Sequence, residues 1–215
     1  MLKARITVLV SGGGTNLQAL IDAQKSGAIE DGQMTLVISS KKDAYALNRA
    51  EANGIDQAVV CRKDFDSQKE YEEKMSQLID KNQTDLIVMA GFMSILSGDF
   101  TSRYAGRIIN VHPSLIPSFC GKGYYGIKVH QAALDYGVKV TGATVHYVNE
   151  ITDGGRIILQ KAVEVKPDDT PQTLQRRVME EAEWKILPKA IDMIANGEIS
   201  LLVNIPFGQE TRGDS

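Results

Sequence analysis

The stretch Arg107-Ile-Ile-Asn110-Val-His112-Pro-Ser-Leu-Ile-Pro117 decides how the chain is read. It opens as an apolar run and closes on two prolines, the pattern of a buried strand that ends in a turn. Successive side chains of a strand alternate faces, so Asn110 and His112 project the same way. Pro113 offers no ladder donor and keeps the residue before it extended, which puts His112 at the last position of the strand. An amide and an imidazole then share one rim. Taken alone, the pair also fits a core Asn and a core His satisfied by backbone groups. The surrounding chain has to decide.

Upstream, strands and helices alternate. Residues 5–10 form a β-branched apolar run that stops at Ser11-Gly12-Gly13-Gly14-Thr15-Asn16, after which Leu17, Leu20 and Ile21 recur at helical spacing. Strand, glycine turn and helix suit a phosphate, because glycines let the backbone come close and the helix start attracts an anion. The spacing matches neither G-x-G-x-x-G nor G-x4-G-K-[ST]. A plain βα turn with Thr15 or Asn16 as N-cap is the alternative. Further strands are predicted at 34–39, 58–61 and 85–90, and helices at 44–53, closed by Gly54, and 71–82. The almost unbroken apolar run at 85–90 belongs at the centre of a parallel sheet. The expected fold is α/β, a Rossmann-like, mostly parallel twisted sheet with helices on both faces, whose ligands sit beyond the carboxyl ends of the strands. Residues 12–16, 91–94 and 110–112 converge on that edge.

Downstream, residues 118–126 form a loop bearing glycines and tyrosines, and a helix over 129–136 ends at Gly137. A strand over 141–149 pairs with one at 157–160 across a turn in which Asp153-Gly-Gly puts a carboxylate at a tight bend. By itself Asp153 is a good turn residue. Thr170 and Pro171 open a long helix running to Ile194, with Pro188 as the expected place for a kink or split. Of Glu180, Glu181 and Glu183 on it, at most one reaches a site.

The formal charge is −3 with no basic stripe, so nucleic acid is not an expected partner. Cys61 and Cys120 lie far apart with no metal-ligand or redox spacing, so neither a disulfide framework nor a metal site is expected. No window reaches the ~18 apolar residues of a membrane helix, and the short apolar start is no signal peptide. A cytoplasmic protein is expected.

Ser11-Gly-Gly-Gly-Thr-Asn-Leu-Gln, Ala90-Gly-Phe-Met-Ser-Ile-Leu, Asn110-Val-His-Pro-Ser-Leu-Ile-Pro and Asp153-Gly-Gly, in this order and spacing, resemble the phosphoribosylglycinamide formyltransferases, folate-dependent enzymes of purine synthesis. Transferases using 10-formyltetrahydrofolate share the Asn-x-His-Pro element and the later Asp. The short glycine loop and the chain length point to the glycinamide ribonucleotide branch, since methionyl-tRNA formyltransferases and formyltetrahydrofolate hydrolases carry an additional domain. The resemblance implies one catalytic domain over 1–205, with a phosphate-binding half (1–105), a folate and catalytic half (106–205), and a polar tail at 206–215. It implies that Gly14, Thr15 and Asn16 hold the substrate phosphate and that Glu183 contacts the sugar or glycinamide portion. Gln68, Met93, Ser94, Ile95, Leu96 and Asn110 would meet the folate, and Asn110, His112 and Asp153 would carry the chemistry, without a metal. Ser94 stands where many relatives have arginine, and Gln68 where some have a basic residue. The partners implied are small molecules, on a monomer or homodimer.

The chemistry implied is attack of the substrate amine on a formyl carbon, giving a tetrahedral intermediate with a negative oxygen. Asn110, through its amide N–H, and His112, as imidazolium, are donors of the kind that stabilise such an oxygen by roughly 2.7–4 kcal/mol. Asp153 beside His112 would favour the charged ring and complete a proton relay from the attacking amine to N10. Cys120 and Ser114 lack a base of their own, so no covalent enzyme intermediate is expected.

Overall fold

A computed structural model describes residues 3–199. The strands are β1 (Ala4–Val10), β2 (Gly32–Ser39), β3 (Asp56–Val59), β4 (Leu86–Met89), β5 (Ile108–His112), β6 (Val140–Tyr147) and β7 (Ile157–Glu164). The helices are α1 (Thr15–Ser26), α2 (Tyr45–Ala52), α3 (Gln68–Lys81), α4 (Gly98–Arg103), α5 (Ile127–Tyr136), α6 (Pro171–Val178) and α7 (Trp184–Ala195). One sheet runs β3-β2-β1-β4-β5-β6-β7, parallel as far as β5 and antiparallel through β6 and β7. β4 is central, as its apolar run requires. The order reverses between β1 and β4, so the loops leaving these two strands flank a crevice at the carboxyl edge. The proposed tail at 206–215 and the end of the 1–205 unit lie outside the described residues.

Strand alternation splits the core into two layers. Ile6, Val8, Leu86, Val88, Ile109, Val111, Ala143 and Val145 pack with α1, α2 and α5 to α7 on one face, while Leu9, Ile38, Ile87 and Ile108 pack with α3 and α4 on the other. Each large aliphatic side chain so buried stabilises the fold by about 1.5–3 kcal/mol. Asn110 and His112 share the second face with Ile108, as do Thr144 and His146 of the neighbouring strand, beyond the end of its apolar layer.

Three expectations are corrected. The edge strand occupies Asp56–Val59 rather than 58–61. Val60 and Cys61 are buried past the ladder, where the chain enters a single 3-10 turn at Arg62–Asp64, so the apolar run there marks burial and not pairing. Neither Thr15 nor Asn16 caps α1; Gly14 does, in a left-handed conformation, without a side-chain bond. The long C-terminal helix breaks at a wide π turn over Met179–Glu183 and runs unbroken through Pro188. A proline costs one ladder bond where it stands, whereas a wide turn changes which face points inward. Here that change buries Ala182 and Glu183 and leaves Glu180 and Glu181 in solvent.

Candidate active site

The end of β5 is tied to its neighbours by a polar lattice. Thr144 donates to the Ser114 carbonyl (2.7 Å) and accepts from the backbone of Ile116 (3.1 Å), and Gln160 donates to Thr144 and to the Ile116 carbonyl. This fixes the Pro113–Pro117 corner against β6 and β7 and leaves His112 at the last ladder position. Asp153, at positive φ (56°), brings its carboxylate between two imidazoles. Its Oδ2 lies 3.5 Å from His112 Nδ1 and its Oδ1 lies 3.7 Å from His146 Nε2. Gly121 donates its N–H to Oδ2 at 2.8 Å. The other nitrogen of His112, Nε2, donates to the Phe119 carbonyl at 2.9 Å. Nδ1 therefore faces the carboxylate, and a proton placed on it would lie between ring and Asp153, the position a relay needs.

His146 is the residue that sequence reasoning missed. It sits directly opposite Asn110 in the antiparallel β5–β6 register, and the two side chains meet at 3.2 Å. Its Nδ1 is 2.8 Å from the Tyr147 carbonyl oxygen, which only accepts, so Nδ1 carries the proton. Burial pushes this imidazole below its ordinary value, against the pull of the Tyr147 carbonyl and the Asp153 charge, and the ring is neutral. Nε2 then accepts, and the Asn110 amide must turn its NH2 towards it. The orientation of Asn110 is set, with one N–H left for another acceptor.

On the far side of the crevice, Ala46 donates to the Gly12 carbonyl (3.1 Å) and Arg49 to the Gly13 carbonyl (2.9 Å). Gly14 adopts φ +69°, and a Cβ there would stand 2.7 Å from that of Ala46, so only glycine lets the loop and α2 approach so closely. With those carbonyls taken and no side chain capping α1, the first-turn N–H groups and the helix dipole remain for an anion. Arg49, which sequence reasoning also missed, is held beside them by Gly13 and Gln18 and by stacking on the Tyr45 ring at 5.0 Å. Asn16 donates to Glu183 at 2.7 Å, which ties the glycine loop to the wide turn, while the Thr15 hydroxyl faces Met179.

Glu183 is 6% exposed, and burial pushes its carboxyl from 4.5 up to about 7 although Asn16 pulls the other way. Between those two values the folded state holds a proton that the unfolded chain has lost, so stability falls as pH rises from 4.5 to 7 and stays low above it. The displacement corresponds to a cost of about 3 kcal/mol at alkaline pH. Glu183→Gln keeps the volume and an acceptor for Asn16. It is expected to melt several degrees higher than the parent at pH 8 and almost equally at pH 5; a gain independent of pH in thermal melts contradicts the assignment.

A family profile described as Formyl transferase matches residues 4–191. The chain belongs to the formyl transferase family. It is 42% identical over 203 residues to a phosphoribosylglycinamide formyltransferase of Haemophilus influenzae, covering 94% of this chain and 92% of that protein. The trifunctional purine biosynthetic protein adenosine-3 of Bos taurus is 43% identical over 93% of this chain, which spans only 19% of that relative's length. Among solved structures, the glycinamide ribonucleotide transformylase 1 of Symbiobacterium toebii superposes with a TM-score of 0.85 at 39% identity, covering 91% of this chain and 89% of that one.

In this formyl transferase the segment after β4 is pinned at three points. Ser11 accepts from the Met93 backbone at 2.8 Å, Gln68 donates to the Ile95 carbonyl at 3.1 Å, and Glu72 accepts from both the backbone and the hydroxyl of Ser97. Glu72, unremarked in the sequence, is 6% exposed and fully occupied by these bonds and one from Gln68. What the segment presents is apolar. Met93 is 49% and Ile95 77% exposed, with Leu96 and Ser94 half-buried beside them. A separate groove of about 690 Å³ between α1 and α7 meets the glycine loop at Thr15 and Arg49, and Asn110, His112 and Asp153 do not line it.

Proposed function

We propose that the chain transfers the formyl group of 10-formyltetrahydrofolate to the amine of glycinamide ribonucleotide, a step of purine synthesis in the cytoplasm. The observation that carries the reading is the approach of Asp153 Oδ2 to within 3.5 Å of His112 Nδ1, with Asn110 on the same rim. A rigid apolar platform at Met93–Leu96 suits a folate ring. The loop at Gly14, Thr15 and Asn16, with Arg49 alongside, suits one phosphate, and Glu183, bonded to Asn16 of that loop, is assigned to the sugar or glycinamide portion. In this reading residues 1–105 form the phosphate-binding half and residues 106–205 the folate and catalytic half, with the Met93–Leu96 platform contributed from the first half.

As the amine nitrogen bonds to the formyl carbon, negative charge gathers on the formyl oxygen. Asn110 meets it with the N–H that His146 leaves free. His112 turns its Nε2–H from the Phe119 carbonyl to the same oxygen. The proton lost by the amine passes through the His112–Asp153 pair, directly or by water, to N10 as the carbon–N10 bond breaks. No enzyme nucleophile intervenes. Cys120 is a poor one, since burial and the Asp153 charge push its thiol up.

Turnover of glycinamide ribonucleotide with 10-formyltetrahydrofolate tests the reading against a panel of other amines, amino sugar nucleotides included. Glycinamide ribonucleotide is expected to exceed every other amine in kcat/KM. His112→Ala is expected to lose about a hundredfold in kcat. Near-normal rates in that variant would end the mechanism.

A further inference from the structure

The groove of about 690 Å³ between α1 and α7 has a floor of small and apolar groups, Ala19, Ala23 and Pro188, with Trp184 in its wall. The two helices run side by side in the same direction, since Thr15 meets Met179 just before α7 at one end and Asp192 accepts from the Glu30 backbone at the other. Charge is sorted along the groove. Arg49 and Lys185 stand at the end that meets the glycine loop, Lys189 one turn further along α7, and Asp22 and Asp192 towards the far end. Lys185 and Lys189 are exposed and form no ion pair among the described residues. An anion entering this concave surface meets their charge against low-dielectric walls.

Both ends keep hydrogen-bonding capacity. Arg49 is fixed through Nε on the Gly13 carbonyl and through Nη1 on Gln18 Oε1 at 2.8 Å, and its Nη2 has no partner among the described residues. Gln18 donates in turn to Asp22 Oδ1 at 2.9 Å, and the Glu30 N–H goes to Asp192 Oδ1 at 3.1 Å, so each carboxylate keeps Oδ2 open among the described residues. The complementary ligand is anionic at one end, flat and apolar in the middle, and a hydrogen-bond donor at the other. The space is of the size that small-molecule sites have.

We propose that this groove binds an aminopurine nucleoside monophosphate, its phosphate on Arg49 and Lys185, its ring over Ala19, Ala23 and Pro188, and its exocyclic amine on the carboxylates of Asp22 and Asp192. Because it takes Arg49 and the space at Thr15, the bound nucleotide excludes a phosphate from the glycine loop. That exclusion rests on the reading that the acceptor's phosphate sits there, whereas occupancy of the groove does not. Trp184 is the single tryptophan of the chain, so its fluorescence, titrated with adenosine monophosphate on the full chain, reports occupancy without turnover. Adenosine monophosphate is expected to bind about tenfold more tightly than ribose 5-phosphate, and about tenfold more tightly than inosine monophosphate, whose ring carries an oxygen in place of the amine. The double reversal Lys185→Glu, Lys189→Glu, checked by an unchanged thermal melt, is expected to weaken the nucleotide at least tenfold and to leave turnover without nucleotide unchanged. In the formyl-transfer assay adenosine monophosphate should raise KM for glycinamide ribonucleotide and leave kcat alone. Equal binding of adenosine monophosphate and either comparison ligand overturns the proposal, as does a double reversal that keeps the affinity. Fluorescence that follows protein concentration and dimerisation in sedimentation, instead of added nucleotide, gives the groove to a second copy of the chain and overturns it too. Tight binding with an unmoved KM overturns the exclusion and, with it, the placement of the acceptor's phosphate.

Discussion

Asp153→Asn is expected to lower kcat about a thousandfold while leaving KM for both substrates within about threefold of the parent. Asparagine has nearly the shape of aspartate and can still accept the Gly121 N–H through Oδ1, so the bend at 151–155 and the loop it tethers stay in place. What disappears is the negative charge between His112 and His146. The proton on its way from the amine to N10 then loses its counter-charge and its acceptor, and either the amine is expelled or the proton must find water. Steady-state kinetics and a melting curve on the purified variant separate this from misfolding. A rate within tenfold of the parent would place proton transfer elsewhere.

Asn110→Ala should cost a further distinct loss, about 10²–10³ in kcat. The size follows from how the amide is held. His146 is buried, neutral and committed through Nδ1 to the Tyr147 carbonyl, so its Nε2 demands a donor and locks the Asn110 NH2 in place. A donor already oriented spends nothing on reorganisation when charge develops on the formyl oxygen. Alanine removes it and also strands Nε2 of His146, so a modest fall in stability accompanies the kinetic loss. Affinity for a stable tetrahedral mimic should drop in proportion to kcat, and affinity for glycinamide ribonucleotide should hold. Parallel loss of both affinities contradicts an oxyanion role.

Much of this arrangement is legible in local sequence because it depends on local rules. Pro113 fixes where β5 stops, alternation fixes that Asn110 and His112 share a face, and the continuous apolar run at 85–90 marks the central strand. Thr170 and Pro171 announce the start of α6, where the hydroxyl of Thr170 accepts from Thr173. What escapes is set by contacts across the chain. His146 lies 36 positions from Asn110, and nothing local says that its strand pairs antiparallel with β5 in a register that brings the two together. The wide turn at Met179–Glu183 escapes for a similar reason: the sequence shows a proline and three glutamates, but only packing decides which glutamate turns inward. Arg49 reads as ordinary surface charge until the sheet order places α2 beside the glycine loop.

The reversal of direction at β6 has a consequence for how such a protein can change. All three proposed reacting side chains, and the histidine that aims one of them, fall within a single hairpin-rich block from β5 to the turn before β7. The proposed anion cradle lies instead between β1, α1 and α2, on the other flank of the crevice. The proposed transfer chemistry and the proposed phosphate cradle therefore occupy separate stretches of the polypeptide. Exchanging the cradle while keeping the block from β5 to β7 is a route to acceptors that carry a different anionic group.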